Sequence, residues 1–142
     1  MQIRRLKQQE ITEVVALWYN VSLDAHFFIS PDYWKKNKIT MEKKYLPKSE
    51  TYIAIENDDI LGFISMRKNN LAALFVNTTL QGQGIGAKLL DYIKKRRKTI
   101  QLTVYKKNLR AIKFYQNQGF SIINERKDEK TDEIEFIMEW SG

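Results

Sequence analysis

No cysteine occurs among the 142 residues. That absence removes disulfides, thiol nucleophiles, zinc–thiolate sites and iron–sulfur clusters together. A single histidine, His26, is too few for a polyhistidine metal site, and no metal is expected. Glycine and proline are scarce, at six and two residues, and form no linker. Every apolar run is far shorter than the ~20 residues of a membrane span, and no heptad or collagen repeat is present. The opening MQIRRLKQQE is polar and lacks an apolar signal region, so the expected compartment is the cytoplasm. With hydrophobic residues at 43%, the chain reads as one domain, residues 1–142, with a core of its own.

Charge is unevenly placed. The formal net charge is +7, yet residues 88–113 alone carry ten basic side chains against Asp91. Residues 125–139 carry seven acids against three bases. A basic field of that kind attracts polyanions, either nucleic acid or a phosphorylated small molecule, and charge does not choose between them. The run Lys94–Lys98 reads equally well as the solvated side of a helix.

The hydrophobic period changes along the chain. Residues 2–6 form a short strand, and Ile11, Val14, Val15 and Trp18 mark one face of an amphipathic helix. Ser30 followed by Pro31 opens a second, polar helix over 31–45. Thr51–Glu56, Ile60–Arg67 and Leu71–Val76 are β-rich runs separated by Asn57-Asp58-Asp59 and Lys68-Asn69-Asn70, an antiparallel meander. Ile85, Leu89, Leu90 and Ile93 return to helical spacing. Ile100, Leu102 and Val104 alternate as a strand. Asn108 caps a helix that stops at Gly119. Two strands close the chain, Phe120–Arg126 and the alternating Ile134, Phe136, Met138 and Trp140. The order β-α-α-β-β-β-α-β-α-β-β is that of a mixed α/β (α+β) domain.

Between strand 71–76 and the helix after it lies Gln81-Gly82-Gln83-Gly84-Ile85-Gly86-Ala87-Lys88. Open amides at a helix start, with no Cβ in the way, form a pocket for a phosphate or diphosphate. Two familiar phosphate loops are excluded. A P-loop needs G-x-x-x-x-G-K-[ST], and no Ser or Thr follows Lys88. A dinucleotide fold needs G-x-G-x-x-G and an acid about twenty residues on; the spacing here is G-x-G-x-G, and Leu102–Lys106 contains no acid. A loop that merely turns the chain is the simpler alternative, although one glycine suffices for a turn.

Some 25 residues later stands Asn108-Leu109-Arg110-Ala111-Ile112-Lys113-Phe114-Tyr115-Gln116-Asn117-Gln118-Gly119-Phe120. Here the chain resembles the GNAT superfamily of acetyl-CoA-dependent N-acetyltransferases. Gln81-Gly82-Gln83-Gly84-Ile85-Gly86 matches its [QR]-x-x-G-x-[GA] loop at Gln81, Gly84 and Gly86. Asn108, Ala111, Phe114, Tyr115, Gly119 and Phe120 match N-x-x-A-x-x-F-Y-x-x-x-G-F. The resemblance runs over essentially the whole chain. It implies a mostly antiparallel central sheet, flanked by helices and splayed between its fourth and fifth strands, 71–76 and 99–105, with the cofactor in the split. It implies acetyl-CoA as cofactor, its diphosphate on the amides of Gln81, Gly82, Gln83, Gly84, Ile85 and Gly86, with Ala87 and Lys88 beside them. The strand edge Leu74, Phe75 and Val76 would pair with the pantetheine amides. Asn108 either donates to the cofactor or only caps its helix. Tyr115 is the candidate general acid for the departing thiolate, the alternative being a core tyrosine. Its phenol, near ~10, stays protonated beside a thiol near ~8.5, so a strengthening hydrogen bond is expected rather than full transfer.

In that family the segment after the first helix forms a wall of the acceptor site. Here it reads Leu23 to Trp34 and holds His26, Phe27, Phe28 and Tyr33. His26 is either the base that deprotonates the acceptor or a structural residue. Phe27, Tyr33 and their aromatic neighbours line the acceptor pocket or belong to the core. The fourth strand, Leu-Ala-Ala-Leu-Phe-Val, has no acid to serve as a direct carboxylate base. The expected activity is acetyl transfer to a primary amine of a small molecule, or to a protein lysine or N-terminus, by direct attack. A non-catalytic acyl-CoA-binding module of the same fold is the alternative. Neither membrane nor nucleic acid is an expected partner, and a monomer or homodimer is expected.

Overall fold

The computed structural model describes residues 1–142. Strand β1 (Gln2–Arg5) leads through a 3₁₀ turn into helix α1 (Ile11–Ala25), then α2 (Pro31–Thr40). Ser30 caps α2 by accepting from the Asp32 amide, as the Ser-Pro signal implied. The helix expected over 31–45 does not stay α-helical. Met41–Tyr45 widens into a π turn, in which the Leu46 amide reaches back to the Met41 carbonyl, before the short α3 (Leu46–Lys48). Pro47 supplies the reason: it offers no N–H, and its ring displaces the preceding turn.

Strands β2 (Glu50–Glu56), β3 (Asp59–Arg67) and β4 (Asn70–Val76) form the meander. A 3₁₀ turn at Thr78–Leu80 precedes α4 (Ile85–Lys94), β5 (Thr99–Tyr105), α5 (Leu109–Asn117), β6 (Ser121–Asp128) and β7 (Glu133–Ser141). All seven strands join one sheet in the order β1-β2-β3-β4-β5-β7-β6. Every pairing is antiparallel except β4 with β5. No helix is long and apolar enough to cross a membrane.

Strand alternation sends side chains to two cores on opposite faces of the sheet. Val14, Val15 and Trp18 of α1 and Trp34 of α2 cover Ile53, Phe63 and Ala73. Leu89, Leu90 and Ile93 of α4, with Ile112 and Tyr115 of α5, cover Ile64, Met66, Ile100 and Leu102.

The feature that positions the site is the β4–β5 junction. These strands pair only at Asn70↔Gln101 and Leu71↔Leu102. The register of β4 against β3 steps from Met66↔Leu71 to Ser65↔Ala73, so Ala72 bulges out of the ladder where β4 leaves β5. A bulge bends its strand, and beyond Ala72 the two strands diverge as the splayed sheet implied. Because they are parallel, α4 and α5, which follow them, both begin at the open end of the split.

Candidate active site

A cavity of about 580 Å³ fills the split and is lined from both faces of the sheet. Leu80, Gly82, Gly84, Ile85, Gly86, Ala87, Arg110, Ala111, Phe114 and Tyr115 line one side; Trp18, Val21, Ala25, His26 and Trp34 line the other. Leu74, Phe75 and Val76 of β4 and Thr103, Val104 and Tyr105 of β5 stand between them.

The glycine loop is tied back to β4 by the Gln81 side chain, whose Nε2 donates to the Val76 carbonyl at 3.1 Å. Gly82 and Gly84 have φ of 84° and 86°, a left-handed backbone that favours glycine. Gly84 is the N-cap of α4, and the first intrahelical bond runs from the Lys88 amide to the Gly84 carbonyl, 3.1 Å. The amides of Ile85, Gly86 and Ala87 therefore have no main-chain partner, and they carry the positive end of the helix dipole. Nothing lies within 4 Å of where a Cβ would stand on Gly82 or Gly84. The chemistry and the open space suit a diphosphate.

On the other flank, Asn108 caps α5, its Oδ1 accepting from the Ala111 amide at 3.2 Å. One and two turns along stand Ala111 and Tyr115. Tyr115 is 8% exposed and lies between Phe114 and Phe120. Burial raises its phenol above the ordinary tyrosine value, so it holds its proton firmly. None of the hydrogen bonds around the cavity engages its hydroxyl. Arg110 is exposed, lines the cavity and has no carboxylate partner.

His26 ends α1 in an aromatic cage. It stacks on Trp34 (centroids 5.0 Å apart, planes 24° apart) and meets Tyr105 and Phe28 edge-on at 5.3 and 6.0 Å. Burial lowers its pKa to about 4. The ring is neutral at pH 7, and its conjugate acid is too strong to draw a proton from an ammonium near ~10.4. The stability consequence has a definite sign. The unfolded ring, near ~6.5, binds protons that the folded ring refuses, so stability is full above that value and declines as pH falls toward 4. Thermal unfolding of the wild type should lose a few kcal/mol across that window, whereas His26→Phe should flatten the trend; equal slopes would show that His26 does not set it.

The cavity brings together most of the residues singled out in the sequence. Leu74, Phe75, Val76, Gln81, Gly82, Gly84, Ile85, Gly86, Ala87, Asn108, Tyr115 and His26 all line it. Gln83, Lys88, Phe27 and Tyr33 do not. Gln83 and Lys88 face solvent beside the loop. Phe27 is 79% exposed, and Tyr33 packs edge-on against Trp34 at 4.9 Å. Trp34, one of the aromatics expected to line the acceptor pocket or the core, does line the cavity, whereas Trp18, Tyr105, Phe114 and Arg110 are cavity residues that the sequence did not single out. Arg110 and Phe114 lie inside the quoted N-x-x-A-x-x-F-Y segment, which was the available signal. Trp18 and Tyr105 reach the site only through tertiary packing. The basic run is largely spent on structure: Lys94 donates to the Gln118 carbonyl, Arg96 lies 3.5 Å over the Tyr92 ring, and Arg97 pairs with Glu50 at 2.9 Å.

A family profile described as "Acetyltransferase (GNAT) domain" matches residues 8–138. The chain belongs to the GNAT acetyltransferase family. Peptidyl-lysine N-acetyltransferase YiaC of Escherichia coli K12 is 33% identical over 139 residues, 97% of this chain and 95% of that protein. Peptidyl-lysine N-acetyltransferase YjaB of the same organism is 30% identical over 122 residues, covering 84% and 82%. The solution structure of apo YjaB superposes with a TM-score of 0.87, covering 99% of this chain and 97% of that one. A crystal structure of an aminoglycoside 6'-N-acetyltransferase complexed with coenzyme A, 16% identical, has the same fold, with a TM-score of 0.71 over 99% and 97% of the chains.

This GNAT domain is thus an N-acetyltransferase, and its family uses acetyl-CoA as cosubstrate. The open α4 amides, the cap-side glycines and the unpaired edge of β4 fit that molecule.

Proposed function

We propose that the chain, acting as one domain, transfers the acetyl group of acetyl-CoA to the side-chain amine of lysine in a peptide or protein. The observation that carries this reading is the charge of the cavity wall. Of its 27 lining residues none is an aspartate or glutamate, Arg110 is the one charged residue, and the α1–α2 side is Trp18, Val21, Ala25, His26 and Trp34. A polycationic acceptor, such as a polyamine, needs carboxylates around it. A lysine presents one ammonium on a four-carbon apolar stem that such a wall covers well. Resemblance to two peptidyl-lysine N-acetyltransferases supports the same acceptor.

In this reading the amides of Gly82, Gly84, Ile85, Gly86 and Ala87 hold the diphosphate, with Arg110 and Lys88 supplying positive field. The edge of β4 at Leu74–Val76 pairs with the pantetheine amides, and Asn108 donates to that arm. Acetyl-CoA supplies the activated thioester. Tyr115 offers its proton to the sulfur as the C–S bond breaks. Holding thioester and amine in line contributes most of the acceleration, ~7–11 kcal/mol in well-oriented systems. No carboxylate lines the cavity to take the ammonium proton; Asp128 stands behind the wall, accepting from Tyr105 at 3.1 Å. The proton therefore leaves to water, and the acceptor reacts as its minor neutral form.

An acceptor panel assayed by release of the CoA thiol tests this. A lysine peptide should surpass spermidine and aminoglycosides in kcat/KM, and its kcat/KM should climb about tenfold per pH unit from 7 toward the amine pKa near ~10. Preference for a polyamine would overturn the acceptor assignment. A plateau already reached at pH 7 would reveal a base in the enzyme.

A further inference from the structure

His26 and Asn108 both line the cavity and meet across it, Nε2 and Nδ2 being 3.4 Å apart. The hydrogen-bonding groups at this meeting can be assigned one by one. Asn108 Oδ1 accepts from the Ala111 amide, which fixes which way round the side-chain amide lies. Nδ2, a donor only, then faces His26. His26 Nε2 must accept, so it carries no proton, and the ring proton sits on the buried Nδ1, which has no hydrogen-bond partner of its own. The ring cannot swing away, because Trp34 stacks on it and Tyr105 and Phe28 hold its edges. An amide nitrogen has two N–H groups. His26 takes one; the other has no partner in the chain, and Asn108 lines the cavity.

We propose that His26 is a positioning residue for the acyl donor: by accepting one Asn108 N–H it presents the other to an amide carbonyl oxygen of the donor's pantetheine arm in the cleft. This rests on the reading that acetyl-CoA occupies the split. The cap bond alone holds only the oxygen side of the Asn108 amide. The second anchor comes from the acceptor-side wall, so α1 helps to shape the donor side. A base at this position would need Nε2 free to face the amine, and Asn108 already occupies it.

Two substitutions separate the roles. His26→Phe keeps a ring on Trp34 and removes the acceptor, whereas His26→Gln restores an acceptor at the Nε2 position. By calorimetry with coenzyme A and by initial rates, His26→Phe should weaken donor binding and raise the donor KM about two- to tenfold, with kcat within about twofold. His26→Gln should recover most of that loss. In an Asn108→Ala background, His26→Phe should add nothing further. Unchanged donor affinity in a His26→Phe protein with a wild-type melting curve would overturn the proposal. So would a fall in kcat at constant donor KM, or an undiminished effect in the Asn108→Ala background. If His26→Phe does not fold, Asn108→Asp, which keeps the α5 cap and removes both N–H donors, should weaken the donor at least as far, and unchanged affinity would again overturn it. A wild type that bound no coenzyme A would bring down the cleft reading itself.

Discussion

Replacing Gly84 with glutamate is expected to abolish coenzyme A binding. Two effects act at this residue, and they can be separated. Its φ of 86° is one that side chains adopt at a cost of roughly 1–2 kcal/mol, and any residue there bears that strain. Nothing lies within 4 Å of its Cβ position, so the added atoms meet no steric barrier. The larger effect is charge. A carboxylate ~4 Å from a phosphate repels it by about 4 kcal/mol at an effective dielectric constant near 20, close to a thousandfold in affinity. Gly84→Gln carries the same strain without the charge. Calorimetry should therefore find Gly84→Gln weakened only modestly and Gly84→Glu without measurable binding, while both melt at similar temperatures. Wild-type affinity in the Gly84→Glu protein would mean that no phosphate sits at the start of α4.

Removing one oxygen from Tyr115 should cost turnover and little else. The side chain is packed between Phe114 and Phe120, so phenylalanine fills the same space and the melting temperature should stay within a degree or two. Burial keeps the phenol protonated, which makes it a donor at any pH the enzyme meets. A hydrogen bond to a developing thiolate is charge-assisted and contributes about 1.5–3 kcal/mol, so kcat should fall ten- to a hundredfold. The KM for acetyl-CoA should stay within about twofold, because the bond strengthens only as the sulfur gains charge. Parallel loss of kcat and donor affinity would instead assign Tyr115 to packing.

Much of this site could be read from the chain because its parts are local. Residues 81–88 leave consecutive amides open at the start of α4 and α5 is capped from within its own segment, so neither depends on distant partners. The strands were equally legible, since the β-rich runs 51–56 and 60–67 are bounded by turn clusters and 100–104 alternates. What stayed hidden arrives through the sheet order. Tyr105 joins the cavity because β5 parts from β4 after Leu102. Trp18 joins from a helix face that the sequence shows only as core, and the choice between pocket and core for Trp34 is made by its stacking on His26. The depressed pKa of His26 is a property of rings from three elements and has no local signature. The partners of the basic run are equally distant: Glu50 and the Gln118 carbonyl, which engage Arg97 and Lys94, lie 47 and 24 residues away in sequence. The π turn at Met41–Tyr45 needed the effect of Pro47 on the preceding turn, which a helical period over 31–45 conceals.

The most direct measurement is a titration of the ¹⁵N-labelled protein with coenzyme A, followed amide by amide. Binding in the split should move the resonances of Gly82, Gly84, Ile85, Gly86 and Ala87 most, followed by Leu74–Val76 along the free edge of β4. The Lys94–Lys98 segment should stay still. Shifts confined to that basic segment, or none anywhere at millimolar ligand, would contradict the placement of the donor between β4 and β5.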